Sequence, residues 1–348
     1  MPELRYNRLN NTWVIISKER AKRPHDYPIG WGKEVGDINK CPFEPGKEHL
    51  TPPEVYAIRE PGTSPNAPGW KVRVIPNKFP AVRPEEDFFR DSEDIYDRMG
   101  GFGYHEVIID TPDHYKQLQD FSIGEIFLMF LAYRERMKQL YKDKNIYYVQ
   151  IFKNHGKEAG KSLYHSHSQL IALPRIPRKI DIQINQTRKY FIEKERCFLC
   201  DEIKYERKHA ERIIEENNRF LIYAPYASAF PFEMRILPKF HSHDFSNITD
   251  EDLEDLAKTL QIAVKKLTKV FNNPPFNLIL HTAPPVRDIP GRPDYFYDID
   301  KFFHWYIEIL PRIAIHAGFE LGTEYFINPT PPEKAAKHLR EKILGGDG

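Results

Sequence analysis

The first residues that suggest chemistry are two histidines and a glutamine that alternate along residues 165–169, at His165, His167 and Gln169. On a β-strand, alternate side chains point to the same face of the sheet, so these three groups would form one row. A neutral imidazole can attack a phosphorus atom directly, and an amide can hydrogen-bond the oxygens of the resulting intermediate. The row therefore indicates nucleophilic catalysis of phosphate chemistry; structural or metal-bound histidines are the alternative.

Two polar segments could bind the phosphate groups of a substrate. Residues 154–162 combine glycines, lysines, an amide and a hydroxyl, and such a loop can surround an anion with backbone N–H groups and cations. Residues 20–24 are strongly basic, and arginines can bind phosphate oxygens through paired hydrogen bonds. Ordinary solvated loops would have a similar composition. The candidate phosphate-binding residues are Arg20, Arg23, Asn154, Gly160, Lys161 and Ser162.

The three cysteines favour metal binding over a disulfide framework, because they are few and odd in number. Cys197 and Cys200 have the spacing of a zinc-binding turn. Two further ligands must come from elsewhere, and the candidates are His241 or His243 together with His281. Two buried thiols without a metal are the alternative.

A second cluster of metal-ligating residue types surrounds the remaining cysteine. A carboxylate can replace a thiolate as a zinc ligand, so a Cys-Glu-His-His site is possible here. Loss of the metal from this site is the alternative. The four residues of the cluster are Cys41, Glu44, His114 and His165.

The charge balance and the hydropathy limit the classes of partner. The 348 residues include 51 Lys and Arg and 50 Asp and Glu, which gives a formal net charge of +1. General nucleic-acid binders rely on a cationic surface, so this balance argues against that class. No apolar run approaches the ~20 residues that span a bilayer, and the N-terminus lacks a signal-peptide profile. We therefore expect no nucleic-acid partner, no membrane partner and a cytoplasmic location.

The elements that must position these groups occur twice in the chain. Ser122 and Thr249 each begin a segment whose apolar residues repeat at helical spacing. Residues 304–311 repeat residues 167–174, with a histidine, an apolar run and Leu-Pro in register. Each half is predicted as strand, strand, long helix, strand, loop and strand.

This duplication predicts an α+β fold in which each half is a mostly antiparallel sheet with a long helix. The predicted halves are residues 1–185, which contain the His-x-His-x-Gln row, and residues 186–348, which contain the Cys-x-x-Cys pair. The join is predicted to be polar and irregular, near residues 178–195.

The ordered set of motifs resembles the galactose-1-phosphate uridylyltransferase family, a branch of the histidine-triad superfamily with two fused triad-like halves. The resemblance covers almost the whole chain, and the His-x-His-x-Gln element in its loop context is specific. The segments that carry it are residues 20–24, 41–43, 77–81, 154–156, 162–169 and 318–320, and a C-terminal helix near residues 333–343.

The resemblance implies a ping-pong reaction between nucleotide sugars and sugar 1-phosphates. His167 would take the nucleoside monophosphate from a nucleotide sugar as a covalent intermediate, and a second sugar 1-phosphate would then receive it. Gln169 would hold the transferred group. The other substrate contacts would be Ser162 and Asn154 for phosphate, and Asn77, Arg20 and Arg23 for nucleotide or phosphate.

The resemblance also implies bound metal and a dimer. Zinc would occupy two sites. The second of these sites is found in one subfamily. Family members are homodimers in which the C-terminal part of the partner contributes to the sugar site. The implied ligands are Cys41, Glu44, His114 and His165 for the first site, and Cys197, Cys200, His241 and His281 for the second.

Two positions depart from the uridylyltransferase pattern. Glu44 stands where the family has a second cysteine, and Gly318, before Phe319, stands where uridylyltransferases have a lysine that contacts the sugar phosphate. Gly318 and the intact Cys-x-x-Cys pair are more similar to the plant ADP-glucose phosphorylase branch, in which inorganic phosphate accepts the nucleotidyl group.

Three hypotheses follow from these observations. Exchange of UMP between UDP-glucose and galactose 1-phosphate, a reaction of galactose metabolism, ranks first. Phosphorolysis of a nucleotide sugar such as ADP-glucose ranks second. The third is a zinc-stabilised protein that binds or senses nucleotides without turnover, which would make the aligned phosphate-binding residues a coincidence.

Overall fold

The computed structural model describes residues 1–17, 27, 36–289 and 291–342. The predicted phosphate-binding residues Arg20 and Arg23 lie outside these ranges. In the first half the elements are β1 (Glu3–Asn7), β2 (Thr12–Ile16), β3 (Tyr56–Arg59), β4 (Trp70–Pro76), β5 (Arg90–Glu93), β6 (Tyr96–Met99), β7 (Tyr104–Ile109), α1 (Ile123–Leu140), β8 (Tyr148–His155), β9 (His167–Leu173) and α2 (Arg178–Lys194). In the second half they are α3 (Phe198–His209), β10 (Ile213–Glu216), β11 (Phe220–Tyr223), β12 (Met234–Pro238), α4 (Asp250–Phe271), β13 (Phe276–His281), α5 (Ile299–Phe302), β14 (Tyr306–Pro311), α6 (Gly318–Thr323), β15 (Phe326–Asn328) and α7 (Pro332–Arg340).

A ten-stranded sheet runs through both halves, in the order β10-β11-β12-β14-β13-β8-β9-β7-β4-β3. Neighbouring strands in it are antiparallel. From each outer edge inward, β3-β4-β7-β9-β8 corresponds one to one with β10-β11-β12-β14-β13. The two sets of five strands meet where β8 pairs with β13. The prediction of an α+β fold built from two such halves, each with a long helix, is confirmed.

The long helices α1 and α4 pack against each other and cover one face of this sheet. The Ser122 side chain caps α1 and the Thr249 side chain caps α4, each by accepting a backbone N–H three residues ahead. Apolar side chains such as Phe130 and Leu260 are fully buried between the helices and the strands. Burial of this face leaves the opposite face of the sheet to carry the polar groups of the site.

The segment between the halves is helical, which corrects the prediction of an irregular join. The helix α2 buries Ile180, Gln183, Ile184 and Thr187. Their spacing of three and four residues places them on one face of a helix. The other positions are mostly polar, so the composition of the segment concealed this face.

Two smaller sheets lie outside the large one. Strands β1, β2 and β15 form a three-stranded sheet, and β5 and β6 form a hairpin whose side chains are almost all exposed. Within the described parts of the chain, none of the helices combines the length and the apolarity that crossing a bilayer requires.

Candidate active site and metal centres

His167 is the first residue of β9, on the face of the sheet that the long helices leave free. Its Nδ1 lies 2.8 Å from the carbonyl oxygen of His165. Because a carbonyl can only accept a hydrogen bond, Nδ1 carries the proton and Nε2 keeps its lone pair. Burial lowers the pKa of His167 to about 4, so the ring is neutral at pH 7. His167 therefore has the tautomer and the charge that nucleophilic attack through Nε2 requires.

Gln169 lies two residues further along the same face of β9, and its Oε1 accepts a hydrogen bond from His105 Nε2 at 2.9 Å. His105 belongs to the neighbouring strand β7, and its Nδ1 accepts from the Ala81 N–H at 3.1 Å. The Asn77 N–H donates to the His105 carbonyl at 2.8 Å. The predicted residues Gln169 and Asn77 are thus brought together through His105.

The end of β8 and the loop that follows it carry the predicted phosphate-binding groups. Asn154 Nδ2 donates to the Gly160 carbonyl at 3.4 Å. Asn277, from β13, donates to Asn154 Oδ1 at 2.9 Å and to the Ala159 carbonyl at 2.8 Å. Gly160 has a φ of +88°, in the left-handed region that favours glycine. The two asparagines therefore hold the loop against the sheet beside His155, the last residue of β8.

Lys161 and Ser162 extend from this loop along a cavity of about 560 Å³. Lys161 Nζ donates to Gln117 Oε1 at 2.5 Å, and burial lowers the pKa of Lys161 to about 7. Besides burial, the charges of Lys153 and Lys161 lower the pKa of His167. Ser162 is exposed at the cavity. The cavity can therefore offer a cation and a hydroxyl to an anion.

The two serines of residues 165–169 face the other side of β9 and join a buried polar network. Lys153 Nζ donates to Asp110 Oδ2 at 2.5 Å, to Ser166 Oγ at 2.8 Å and to the His167 carbonyl at 3.1 Å. Ser168 Oγ donates to Asp110 Oδ1 at 3.0 Å. The charged side chains are at most 1% exposed. This network, which the sequence analysis missed, fixes the backbone behind His167.

The first predicted metal cluster is assembled beside this site. Four buried side chains place one ligand atom each within 4.8 Å of the others: Cys41, Glu44, His114 and His165. The prediction that His165, His167 and Gln169 form one row is corrected, because β9 begins at His167 and His165 precedes this strand. The ring of His165 lies 3.0 Å from Glu44 Oε1, in the metal cluster, and the row consists of His167 and Gln169.

The second cluster occupies the equivalent place in the second half, but one residue differs from the prediction. Its members, again within 4.8 Å of one another, are Cys197, Cys200, His241 and His304. The predicted ligand His281 ends β13 instead, with Nε2 3.2 Å from Glu308 Oε2 and its ring stacked on Tyr306. The assignment of His281 is therefore corrected to His304, and of the two alternatives His241 and His243 the cluster contains His241.

The error arises from the register of the predicted repeat. Strands β9 and β14 are equivalent and begin at His167 and Tyr306. His304 therefore precedes β14 by two residues, as His165 precedes β9. The predicted alignment of residues 304–311 with residues 167–174 is thus shifted by two residues. Because Tyr306 stands in the place of His167, the position of the predicted nucleophile holds a histidine in the first half of the chain and a tyrosine in the second.

The donor atoms of both clusters fit a divalent metal ion. In all four histidines Nε2 donates to a backbone carbonyl, so the lone pair of Nδ1 faces the cluster. In the first cluster these Nδ1 atoms lie 2.5 and 3.0 Å from Glu44 Oε1, which also presents lone pairs when ionised. In the second they lie 3.4 and 3.5 Å from Cys200 Sγ. Facing lone pairs repel one another unless a cation lies between them.

The two halves of the chain match the two domain models of one protein family. The galactose-1-phosphate uridyl transferase N-terminal domain matches residues 1–177, and the C-terminal domain of the same family matches residues 183–342. The chain belongs to the galactose-1-phosphate uridyl transferase family. The family resemblance predicted from the sequence motifs is confirmed.

Relatives in the galactose-1-phosphate uridyl transferase family have two activities. An ADP-glucose phosphorylase of Arabidopsis thaliana is 38% identical over 349 residues, which cover 99% of this chain and 93% of the relative. A galactose-1-phosphate uridylyltransferase of Thermotoga maritima is 31% identical over 356 residues, which cover 98% of each. The family is therefore one of nucleotidyl-transferring enzymes that includes both activities considered above.

Solved structures of the same two kinds share the fold of this chain. The crystal structure of the Arabidopsis thaliana ADP-glucose phosphorylase with bound ADP-glucose has a TM-score of 0.81 at 35% identity, covering 99% of this chain and 100% of that one. A uridylyltransferase structure has a TM-score of 0.73 at 26% identity, covering 98% and 97%. Structures of both kinds thus share the architecture of this chain.

The predicted substrate-binding residues Gly318 and Phe319 lie apart from the other site residues. They begin α6, which packs against β15 in the small three-stranded sheet, whereas His167 and Gln169 lie in the ten-stranded sheet. Phe319 is half-exposed. In the uridyl transferase family a partner subunit supplies this region to the site, as the resemblance implies, and that role remains a prediction for this chain.

His105 was the residue of this site that sequence reasoning missed. A lone histidine in a predicted strand belongs to no motif, and nothing marked it as a partner of Gln169. In β7, His105 alternates with Val107 and Ile109, and only the structure shows that these two residues pair with Gln169 and His167. Strand pairing thus places His105 on the face that carries the site.

Proposed function

We propose that this protein transfers a nucleoside monophosphate from a nucleotide sugar through a covalent intermediate on His167. The proposal rests on the lone pair of His167 Nε2, which is free because Nδ1 makes the hydrogen bond to the His165 carbonyl. Nε2 attacks the α-phosphorus, the bond from this phosphorus to the bridging oxygen breaks, and sugar 1-phosphate leaves with the electron pair. A phosphate oxygen of the acceptor then attacks the same phosphorus, and Nε2 regains its lone pair as the P–N bond breaks.

The neighbouring residues supply the contacts that such a transfer needs. The NH2 group of Gln169 can donate to an oxygen of the transferred phosphoryl group, and preorganised donors of this kind stabilise the charge that develops there. Asn154 at the end of β8, together with Gly160, Lys161 and Ser162 of the loop that follows, can bind the remaining phosphate. Asn77, at the edge of the same face, is proposed to contact the nucleotide.

Two observations favour inorganic phosphate as the acceptor and ADP-glucose as the donor. The ADP-glucose phosphorylase relative exceeds the uridylyltransferase relatives described above in sequence identity and in TM-score. Gly318 also stands where uridylyltransferases have a lysine for the sugar phosphate. We therefore rank phosphorolysis of ADP-glucose above exchange of UMP between UDP-glucose and galactose 1-phosphate, which reverses the order drawn from the sequence.

Intact-mass spectrometry distinguishes these reactions. We expect a mass gain of one AMP after brief incubation with ADP-glucose, and its loss on addition of inorganic phosphate. A gain of one UMP from UDP-glucose that galactose 1-phosphate discharges would instead support uridylyl exchange. If neither nucleotide sugar labels the protein, covalent catalysis is excluded and a nucleotide-binding or sensing protein remains.

We propose that zinc is the metal of both clusters, because thiolate, imidazole and carboxylate groups are the ligands it favours. When bound, the metal would supply a structural link: it would fix the residues before β9 and β14 to distant turns of the chain. Elemental analysis is expected to give about two zinc ions per chain, and about one in either Cys200→Ser or Glu44→Ala. His281→Asn should retain both, and a loss of zinc in this control would contradict the corrected assignment.

The activity should depend on pH through Lys161. Because its pKa is about 7, Lys161 is charged below this pH and becomes neutral as the pH rises through it. A cation contact with substrate phosphate is then lost, so we expect kcat/KM to fall by about 10-fold between pH 6 and pH 8. Lys161→Arg stays charged and should remove this fall. An unchanged pH profile in that variant would exclude Lys161 as the cause.

We also propose that the protein forms a homodimer. Near Gly318, several apolar side chains are largely exposed, among them Ile315 at 94% and Leu321 at 78%. A partner subunit that covers this surface would bring Phe319 to the second active site, as the family resemblance implies. Light scattering should give twice the chain mass of 41.1 kDa, and a monomer that is fully active would refute the proposal.

A further inference from the structure

The structure points to a positioning residue for Gln169. His105 lies between the turn that follows β4 and Gln169 on β9, the residue proposed to contact the transferred phosphoryl group. We infer that His105 orients the Gln169 amide so that its NH2 group, and not its oxygen, is presented to the phosphoryl group. This inference rests on the proposed function, because it assigns a role to one of the residues around His167.

The hydrogen bonds at the imidazole fix its proton. The Ala81 N–H, 3.1 Å from Nδ1, can only donate, so Nδ1 must accept and carries no proton. The proton of the neutral ring is therefore on Nε2. Asn77 Nδ2 lies 3.2 Å from this Nε2, but a ring whose Nδ1 already accepts cannot also accept at Nε2. The Nε2 proton is thus left for Gln169 Oε1, 2.9 Å away.

The direction of the hydrogen bond from His105 Nε2 to Gln169 Oε1 determines the orientation of the Gln169 amide. Its oxygen accepts from His105, so its nitrogen points the other way. Among the described residues, the Gln169 NH2 group has no hydrogen-bond acceptor, and it can donate to an oxygen of the substrate. If the amide were free to rotate by 180°, its carbonyl would face the anionic phosphoryl group and repel it.

Backbone N–H groups hold His105 both at its ring and at its own carbonyl. Ala81 N–H binds the ring, and the Asn77 N–H donates to the His105 carbonyl at 2.8 Å. Asn77 Oδ1 accepts from the Phe79 N–H at 2.9 Å, which closes the turn. His105 therefore transmits the position of this rigid turn to Gln169.

A matched set of variants tests the inference. His105→Phe removes both ring hydrogen bonds at similar size, and we expect the rate of nucleotidyl adduct formation to fall about 10- to 100-fold with little change in KM. His105→Gln can accept from Ala81 and donate to Gln169, so it should restore most of this rate. In a Gln169→Ala background, His105→Phe should cause almost no further loss.

Three results would overturn the inference: an equal loss in both backgrounds, no rescue by His105→Gln, or a fall confined to KM. The tautomer provides a test that does not depend on turnover. Nitrogen NMR of the His105 ring should show the proton on Nε2, and a proton on Nδ1 would contradict the inference. A wild-type protein that forms no adduct contradicts the proposed function instead, while the tautomer still decides the orientation of Gln169.

Discussion

Replacement of His167 by glycine is expected to abolish the covalent adduct and to lower turnover by at least about 10³-fold. The variant loses the Nε2 lone pair, and the described residues place no other nucleophilic nitrogen in the equivalent position. Gln169 and the loop after β8 remain, so nucleotide binding should persist. Adduct formation is measured by intact mass, turnover by release of sugar 1-phosphate, and binding by calorimetry.

The control for this variant is His49→Gly, which removes an exposed histidine from a short 3-10 helix distant in sequence from β9. We expect it to label and to turn over like the natural protein. If His167→Gly still forms the adduct, another group is the nucleophile and the proposed mechanism is wrong. If it loses nucleotide binding and unfolds at a lower temperature, the loss of activity reflects structure, and a His167→Asn variant then separates the two effects.

Lys153→Met is expected to lower the free energy of unfolding by about 3–5 kcal/mol. Lys153 Nζ and Asp110 Oδ2 are 2.5 Å apart, and neither side chain is more than 1% exposed. Without the lysine, the Asp110 carboxylate is buried without a counter-charge, and the His167 carbonyl loses one donor. Urea unfolding followed by circular dichroism measures the change.

A surface ion pair provides the comparison. Lys71 and Glu60 lie 2.9 Å apart with side chains 50% and 57% exposed, so Lys71→Met should cost less than about 1 kcal/mol. Adding Asp110→Asn to Lys153→Met should recover part of the loss, because the double variant contains no unpaired buried charge. Equal effects of Lys153→Met and Lys71→Met would show that the buried pair contributes no more than a solvated one.

Local patterns in the sequence determined the fold class and several residues of the site. Helical spacing after Ser122 and Thr249 gave both long helices, because a capping residue and a periodic apolar face act within one element. The ordered motifs indicated the family. The alternation of His167 and Gln169 was also correct, since residues two apart on a strand share a face.

The tertiary structure decided which distant residues meet. His304, rather than His281, joins the cysteine pair, and this depends on where β14 begins, which the repeat did not define to within two residues. His105 reaches Gln169 through the pairing of β7 with β9. A shift of one residue in a strand moves every side chain to the other face, so such contacts follow from register. Register is set by the packing of the whole sheet, and no local pattern in the sequence records it.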